Sequence, residues 1–343
     1  MHASALILTA FCATTFLPTT QGGNVVVDFR FKADDKVEDL PKKTKFLFFC
    51  EKKITEVFEY LKGTAPKPTE LELSISDACV FLPGGGKKQF GFRRAEVLPK
   101  YEPKTVETGK KIYHHSVKLD NKHPINASHQ YILASLEDPK LGSSIYDIIW
   151  GTEFEGTRID KFTPDEKANN FRVRDFARKT FATIPASDTS IVNFAIEVDF
   201  TSNSLQVHSS KDQEPLKKVG EAHKNDDKAK ASYGNCELHV QLIKFPIANG
   251  TEKLEDRNNV PFFGIQPPIK ERESVFHSRV FVEDAPLTTD PNGPSASANT
   301  TSTNTTTTTG TGNGTSTGNG TSTGSGTGNV TGTGTGTKTG GKT

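Results

Sequence analysis

The sequence predicts an all-β fold, a β-jelly roll or two-sheet sandwich, with a disordered C-terminal tail. Three observations lead there. Apolar and polar residues alternate with a period of two through segment after segment, the pattern of strands that bury one face. Turn-forming stretches such as Thr201-Ser202-Asn203-Ser204 separate those segments, and helical periodicity is scarce. Beyond Ala285 the chain is almost entirely Thr, Gly, Ser and Asn with no aromatic residue, so it cannot bury enough apolar surface to offset the entropy of ordering it.

The chain opens with a short apolar run at 3–13, followed by small residues near Thr20 and Gly22. This reads as a signal peptide over 1–22, because a membrane span needs about 18 apolar residues. Residues 23–285 are expected to form one globular domain. Its strands are expected at 25–31, 71–75, 90–97, 112–119, 128–136, 192–200, 205–209, 237–244 and 275–282. A short helix is expected at 55–61. Pro83-Gly84-Gly85-Gly86 reads as a hairpin turn, since the stretch lacks the spacing of a phosphate-binding loop. Residues 286–343 form the tail. Asn-X-Ser/Thr acceptors stand at Asn126 and Asn249 in the domain and at Asn299, Asn304, Asn313, Asn319 and Asn329 in the tail, whose Thr-rich composition also suits O-linked sugars. The chain ends without an apolar segment, so no lipid or membrane anchor is expected.

Composition bounds the partners. Lys and Arg number 42 against 41 Asp and Glu, a formal charge of +1, and no dense basic stripe interleaves with aromatics, which argues against nucleic acid. Loss of the leader would remove Cys12 and leave Cys50, Cys79 and Cys236, enough for one disulfide of unreadable pairing and one free thiol. Their spacing fits no zinc motif, and no metal or cofactor is called for. His114 and His115 are adjacent, so on a strand they point to opposite faces and cannot readily share a metal. No nucleophile elbow supports Ser-His-Asp chemistry. The expectation is a secreted, extracellular monomer.

In three segments the residues facing away from the apolar set are unusual. Asn193, Glu197 and Asp199 oppose Phe194, Ile196 and Val198; Glu237, His239 and Gln241 oppose Leu238, Val240 and Leu242; Phe90, Phe92, Arg94 and Glu96 share one face. A solvated sheet face would look similar. So would a sugar cleft, where aromatic faces cover sugar C–H surfaces and planar polar groups bond the hydroxyls.

The segments Gly91-Phe92-Arg93-Arg94-Ala95-Glu96, Asn126-Ala127-Ser128-His129-Gln130-Tyr131, residues 193–201 and residues 237–244 follow one another in an order and spacing that resembles glycoside hydrolase family 131. Gly264-Ile265-Gln266 and Arg279-Val280-Phe281-Val282-Glu283-Asp284 are similar to that family's closing strands. The resemblance implies a secreted β-jelly-roll protein of fungal or oomycete type that acts on β-glucan in plant or fungal cell walls. It implies a catalytic carboxylate at Glu96, with Arg94 beside it and His239 in the same cleft. Phe92, Tyr131, Glu237 and Gln241 become candidate substrate contacts.

The family's second proposed catalytic glutamate lies in a His-Glu-Tyr triplet, which here reads His129-Gln130-Tyr131. Glycoside hydrolysis generally uses two carboxyl groups, and glutamine cannot exchange a proton near neutral pH. On that alignment Gln130→Glu would restore a lost acid. Three readings stay open: a β-glucan hydrolase, a catalytically inactive glucan-binding protein, and a cell-surface structural or host-interaction protein.

Overall fold

The computed structural model describes residues 22–83 and 86–294. Residues 1–21, where the leader is expected, the glycines at 84–85 and everything after Pro294, including the five expected tail acceptor sites, lie outside the described residues. Fifteen strands follow in chain order. They are β1 (Val25–Asp28), β2 (Thr44–Phe48), β3 (Phe58–Leu61), β4 (Glu70–Ile75) and β5 (Arg93–Pro99). Next come β6 (Lys110–Leu119), β7 (Gln130–Asp138), β8 (Ser143–Gly151), β9 (Asn170–Asp175) and β10 (Thr180–Pro185). The last are β11 (Val192–Asp199), β12 (Ser204–Lys211), β13 (Lys217–Lys224), β14 (Glu237–Lys244) and β15 (Glu273–Asp284).

They form two antiparallel sheets packed as a sandwich. The first runs β13-β12-β11-β6-β15-β4-β3, with β1 also pairing β15, and the second runs β10-β9-β8-β7-β14-β5-β2. Apolar residues at alternate positions meet between them: Leu71, Leu73 and Ile75 from one side, Val97, Leu238 and Val240 from the other, all essentially inaccessible. Aromatic pairs cross the gap, Tyr113 to Tyr146 at 6.0 Å and Phe171 to Phe194 at 5.5 Å between ring centres. A polar strap crosses it too. Glu273 of β15 accepts from Lys244 Nζ at 2.7 Å and from the Tyr131 hydroxyl at 2.7 Å.

Three expectations change, and one left open is resolved. Residues 55–61 are not a helix: a single 3-10 turn (Ile54–Glu56) leads into β3, where Phe58 is buried against Leu73 and Glu59 is exposed. So short a run cannot be told from helix by periodicity. Strand β5 begins at Arg93, which leaves Phe90 outside it and 61% exposed. Ordered structure also continues past residue 285. Thr288 donates through its N–H (2.7 Å) and its hydroxyl (2.5 Å) to the buried Glu283 carboxylate, and Arg279 Nε donates to Asn292. The cysteine pairing, unreadable before, is Cys50–Cys79, with Cys236 free and buried.

His114 and His115 do point to opposite faces, one paired with Glu283 at 3.0 Å and the other with the Tyr146 hydroxyl at 2.9 Å between the sheets. Among the described residues no helix is long and apolar enough to cross a membrane.

Candidate active site

The polar faces singled out in the sequence belong to different sheets. Asn193, Glu197 and Asp199 lie on β11 in the first sheet and serve the fold. Asn193 is buried between Ser116, Ser210 and Arg279, Glu197 pairs with Lys110, and Asp199 accepts from the backbone of Thr201 and Ser202. The other two sets come together. In the second sheet β5 and β7 flank β14, so Gln241 pairs across from Glu96, Ile243 from Arg94 and His239 from Ser135. Alternation turns Arg94, Glu96, His239 and Gln241 outward while Ala95, Val97, Leu238 and Val240 fill the core.

Strand β7 supplies the residue that the sequence hid. Two residues of β7 occupy the space of one on β8 between Ile132 and Ala134, a bulge that shifts the register. Strict alternation from Gln130 would send Glu137 into the core. The bulge reverses that parity, and Gln130, Ile132 and Glu137 all line one cleft on the outer face. Glu137 sits across from Glu237, one strand pair away from His239.

The charges are arranged in a graded way. Glu96 is wholly buried, its carboxylate held between the Arg94 guanidinium and His239 Nδ1. Burial alone would raise its pKa, but Arg94 and His239 outweigh that and bring it down to about 2. Burial likewise works against charge on His239, yet Glu96, and Glu137 beyond it, raise the pKa of the imidazole above its usual value. Glu137 is driven the other way: burial raises its pKa, helped by the charges of Glu96 and Glu237 and opposed by His239 and Arg94. The two neighbouring carboxyls are thus pushed in opposite directions, Glu96 down and Glu137 up, the division an acid–base pair needs. Polar atoms without protein hydrogen-bond partners gather on this face, among them His239 Nε2, Arg94 Nε and Gln241 Oε1. Of these residues Arg94 lines the cleft, while His239 and Gln241 are buried behind it.

The cleft has a volume of about 750 Å³ and crosses β5, β14, β7, β8 and β9. Phe92 and Phe245, 4.8 Å apart, line one part of it, and Arg94 lies 4.5 Å over the Phe81 ring. At the far end Arg174 grips Asp147 with two hydrogen bonds of 2.8 and 2.6 Å and Glu153 with one of 2.7 Å.

The remaining candidates separate. Glu237 is tied to Lys45 at 2.6 Å and lies 4.0 Å from His239 Nε2, outside the cleft lining. Gln241 is buried with its amide on Ser135 Oγ at 3.0 Å. Tyr131 is not a substrate contact. It points into the core, where its hydroxyl bonds Glu273 and accepts from the Asn126 N–H at 2.9 Å. Gln130 does line the cleft, but its carbonyl oxygen already accepts from the Phe154 N–H at 3.0 Å and faces Arg174 Nη1 at 3.5 Å.

The model of the glycoside hydrolase 131 catalytic N-terminal domain matches residues 25–288. Among solved structures, the GH131 β-glucanase catalytic domain from Podospora anserina superposes with a TM-score of 0.60 at 16% identity, over 79% of this chain and 100% of its own. The GH131 catalytic domain from Coprinopsis cinerea gives 0.56 at 15% identity, over 78% and 98%. At such identities these neighbours establish the shared fold. Among curated proteins no sequence matches.

Proposed function

We propose, from the premise that this chain belongs to glycoside hydrolase family 131, that it is a secreted enzyme hydrolysing the β-1,3, β-1,4 or β-1,6 bonds of glucans. The observation that carries the reading is the pair of neighbouring carboxyls pushed in opposite directions, Glu137 up in the lining of the cleft and Glu96 down, buried behind the cleft-lining Arg94. Glu137 donates its proton to the leaving oxygen as the glycosidic bond breaks. Glu96, held by Arg94 and His239 behind the cleft wall, supplies negative charge toward the electron-poor anomeric centre and fixes the cleft-lining Arg94. His239, bonded to Glu96 through Nδ1, holds that carboxylate in place. The β-glucanase title of the Podospora anserina domain supports the substrate class.

Glutamine at position 130 does not leave this site without a proton donor, because Glu137 fills that part. Hydrolysis is therefore favoured over glucan binding alone. The test is reducing-end release by the secreted protein from a panel of β-1,3, β-1,4 and β-1,6 glucans. Release from at least one is expected. Binding to insoluble glucan with no soluble product across the panel would overturn the reading.

A further inference from the structure

We infer that Gln130 is a positioning residue that fixes Phe154 as a distal sugar platform, so that the cleft takes an extended β-glucan segment running from β5 past Glu137 on β7 to Arg174 on β9. The inference rests on the β-glucan reading above.

The loop after β8 is held at three consecutive residues. Thr152 donates to the Ala127 carbonyl through its N–H at 2.9 Å and its hydroxyl at 2.8 Å. Glu153 is bonded by Arg174 at 2.7 Å, and the Phe154 N–H is bonded by the Gln130 carbonyl oxygen at 3.0 Å. The approach is close. Gly151, paired with Gln130, has φ +85°, and a Cβ there would fall 1.9 Å from the His129 carbonyl. The loop so placed puts the half-buried Phe154 ring in the cleft wall, 6.4 Å from Phe245, which is itself 4.8 Å from Phe92. Three half-buried aromatic rings in mutual contact, tilted at 54° and 46° to one another, are costly to leave facing water and offer apolar surface to the C–H faces of sugar rings. From β5 to β9 the cleft spans four strand spacings, about 19 Å at about 4.8 Å each, the length of roughly four pyranose rings.

Glutamine suits this duty better than glutamate. Its oxygen holds the loop while Nε2, which makes no hydrogen bond within the described residues, remains as a donor to a sugar hydroxyl. A glutamate would lose that donor and place a third carboxylate on Arg174 beside Asp147 and Glu153. Gln130→Glu is thus expected to weaken turnover of long chains, the reverse of the gain expected from the sequence.

The experiment compares β-gluco-oligosaccharides of two to six units, by initial rates and by calorimetric binding, on the full chain and on Phe154→Ala, Gln130→Leu and Gln130→Glu. In the natural protein kcat/KM and affinity should each rise about tenfold from the trimer to the pentamer. Phe154→Ala and Gln130→Leu should erase most of that rise through KM, with kcat on the hexamer kept within about threefold. Gln130→Glu should lose part of it. Loss of fold alone would lower every length equally, and that outcome, or a natural protein indifferent to length, overturns the inference. Length-dependent binding that Phe154→Ala abolishes, without hydrolysis of any oligomer, would sustain the platform and sink the hydrolase reading instead.

Discussion

Replacing Glu137 with glutamine keeps the shape of the side chain and removes only its proton. Glu137 is partly buried, faces Glu237 on the neighbouring strand, and senses the charges of His239, Glu96 and Arg94. General acid assistance is worth about a hundredfold to ten-thousandfold, so kcat/KM on natural β-glucan should fall by that factor, about 3–5 kcal/mol of barrier. An aryl β-glucoside, whose phenolate leaves without protonation, should lose less than about tenfold. The pH profile gives a second reading. Glu96 must be ionised, which sets the acid limb near its pKa of about 2. Glu137 must keep its proton, so activity is present below its raised pKa and lost as pH rises through it. The profile should be a bell, and Glu137→Gln should remove its alkaline limb. The assay is initial reducing-end release from a soluble β-glucan between about pH 2 and about pH 9. A variant that keeps natural kcat/KM and the same alkaline limb would show that Glu137 takes no part in the reaction.

Other outcomes follow from the same geometry. Glu96→Gln should abolish hydrolysis and cost about 3–5 kcal/mol in denaturant unfolding, because Arg94 and His239 lose the charge that compensates them in a buried site. In the natural protein the depressed Glu96 pKa contributes stability that is fully present above about pH 4.5 and lost as pH falls toward about 2, about 3 kcal/mol in all; equal stability at both ends would contradict it. A chain ending at Ala285 loses the buried Thr288–Glu283 bonds and the Arg279–Asn292 bond, and its Tm should drop by about 4–10 °C, whereas one ending at Pro294 should melt like the full chain. Cys50→Ser frees a 29-residue separation and should cost about 3–4 kcal/mol by loop entropy, while Cys236→Ser should leave calorimetric loop terms untouched.

The sequence disclosed the sandwich wherever one face of a strand is buried and the other polar. Strands β11 and β14 are such cases, and their alternation read correctly residue by residue. Strand β8 escaped notice because Ile145 to Trp150 are buried on both faces, one side in the core and the other beneath the Arg174–Asp147 network, so no period survives. Strand β13 escaped for the opposite reason, being an edge strand with no fully buried residue. Tyr131 and Gln130 show that alternation does assign faces: neighbours on β7, they point to the core and to the cleft. The rule fails only past the bulge at Leu133–Ala134, where a period-two reading assigns Glu137 to the wrong side. Phase information in a strand lasts from one bulge to the next, and bulges concentrate beside active sites because they re-aim side chains. A missing catalytic acid is thus best sought on both faces downstream of the last well-phased residue. Here that rule leads from Gln130, whose oxygen is committed to the Phe154 loop, to Glu137, the β7 carboxyl that lines the cleft.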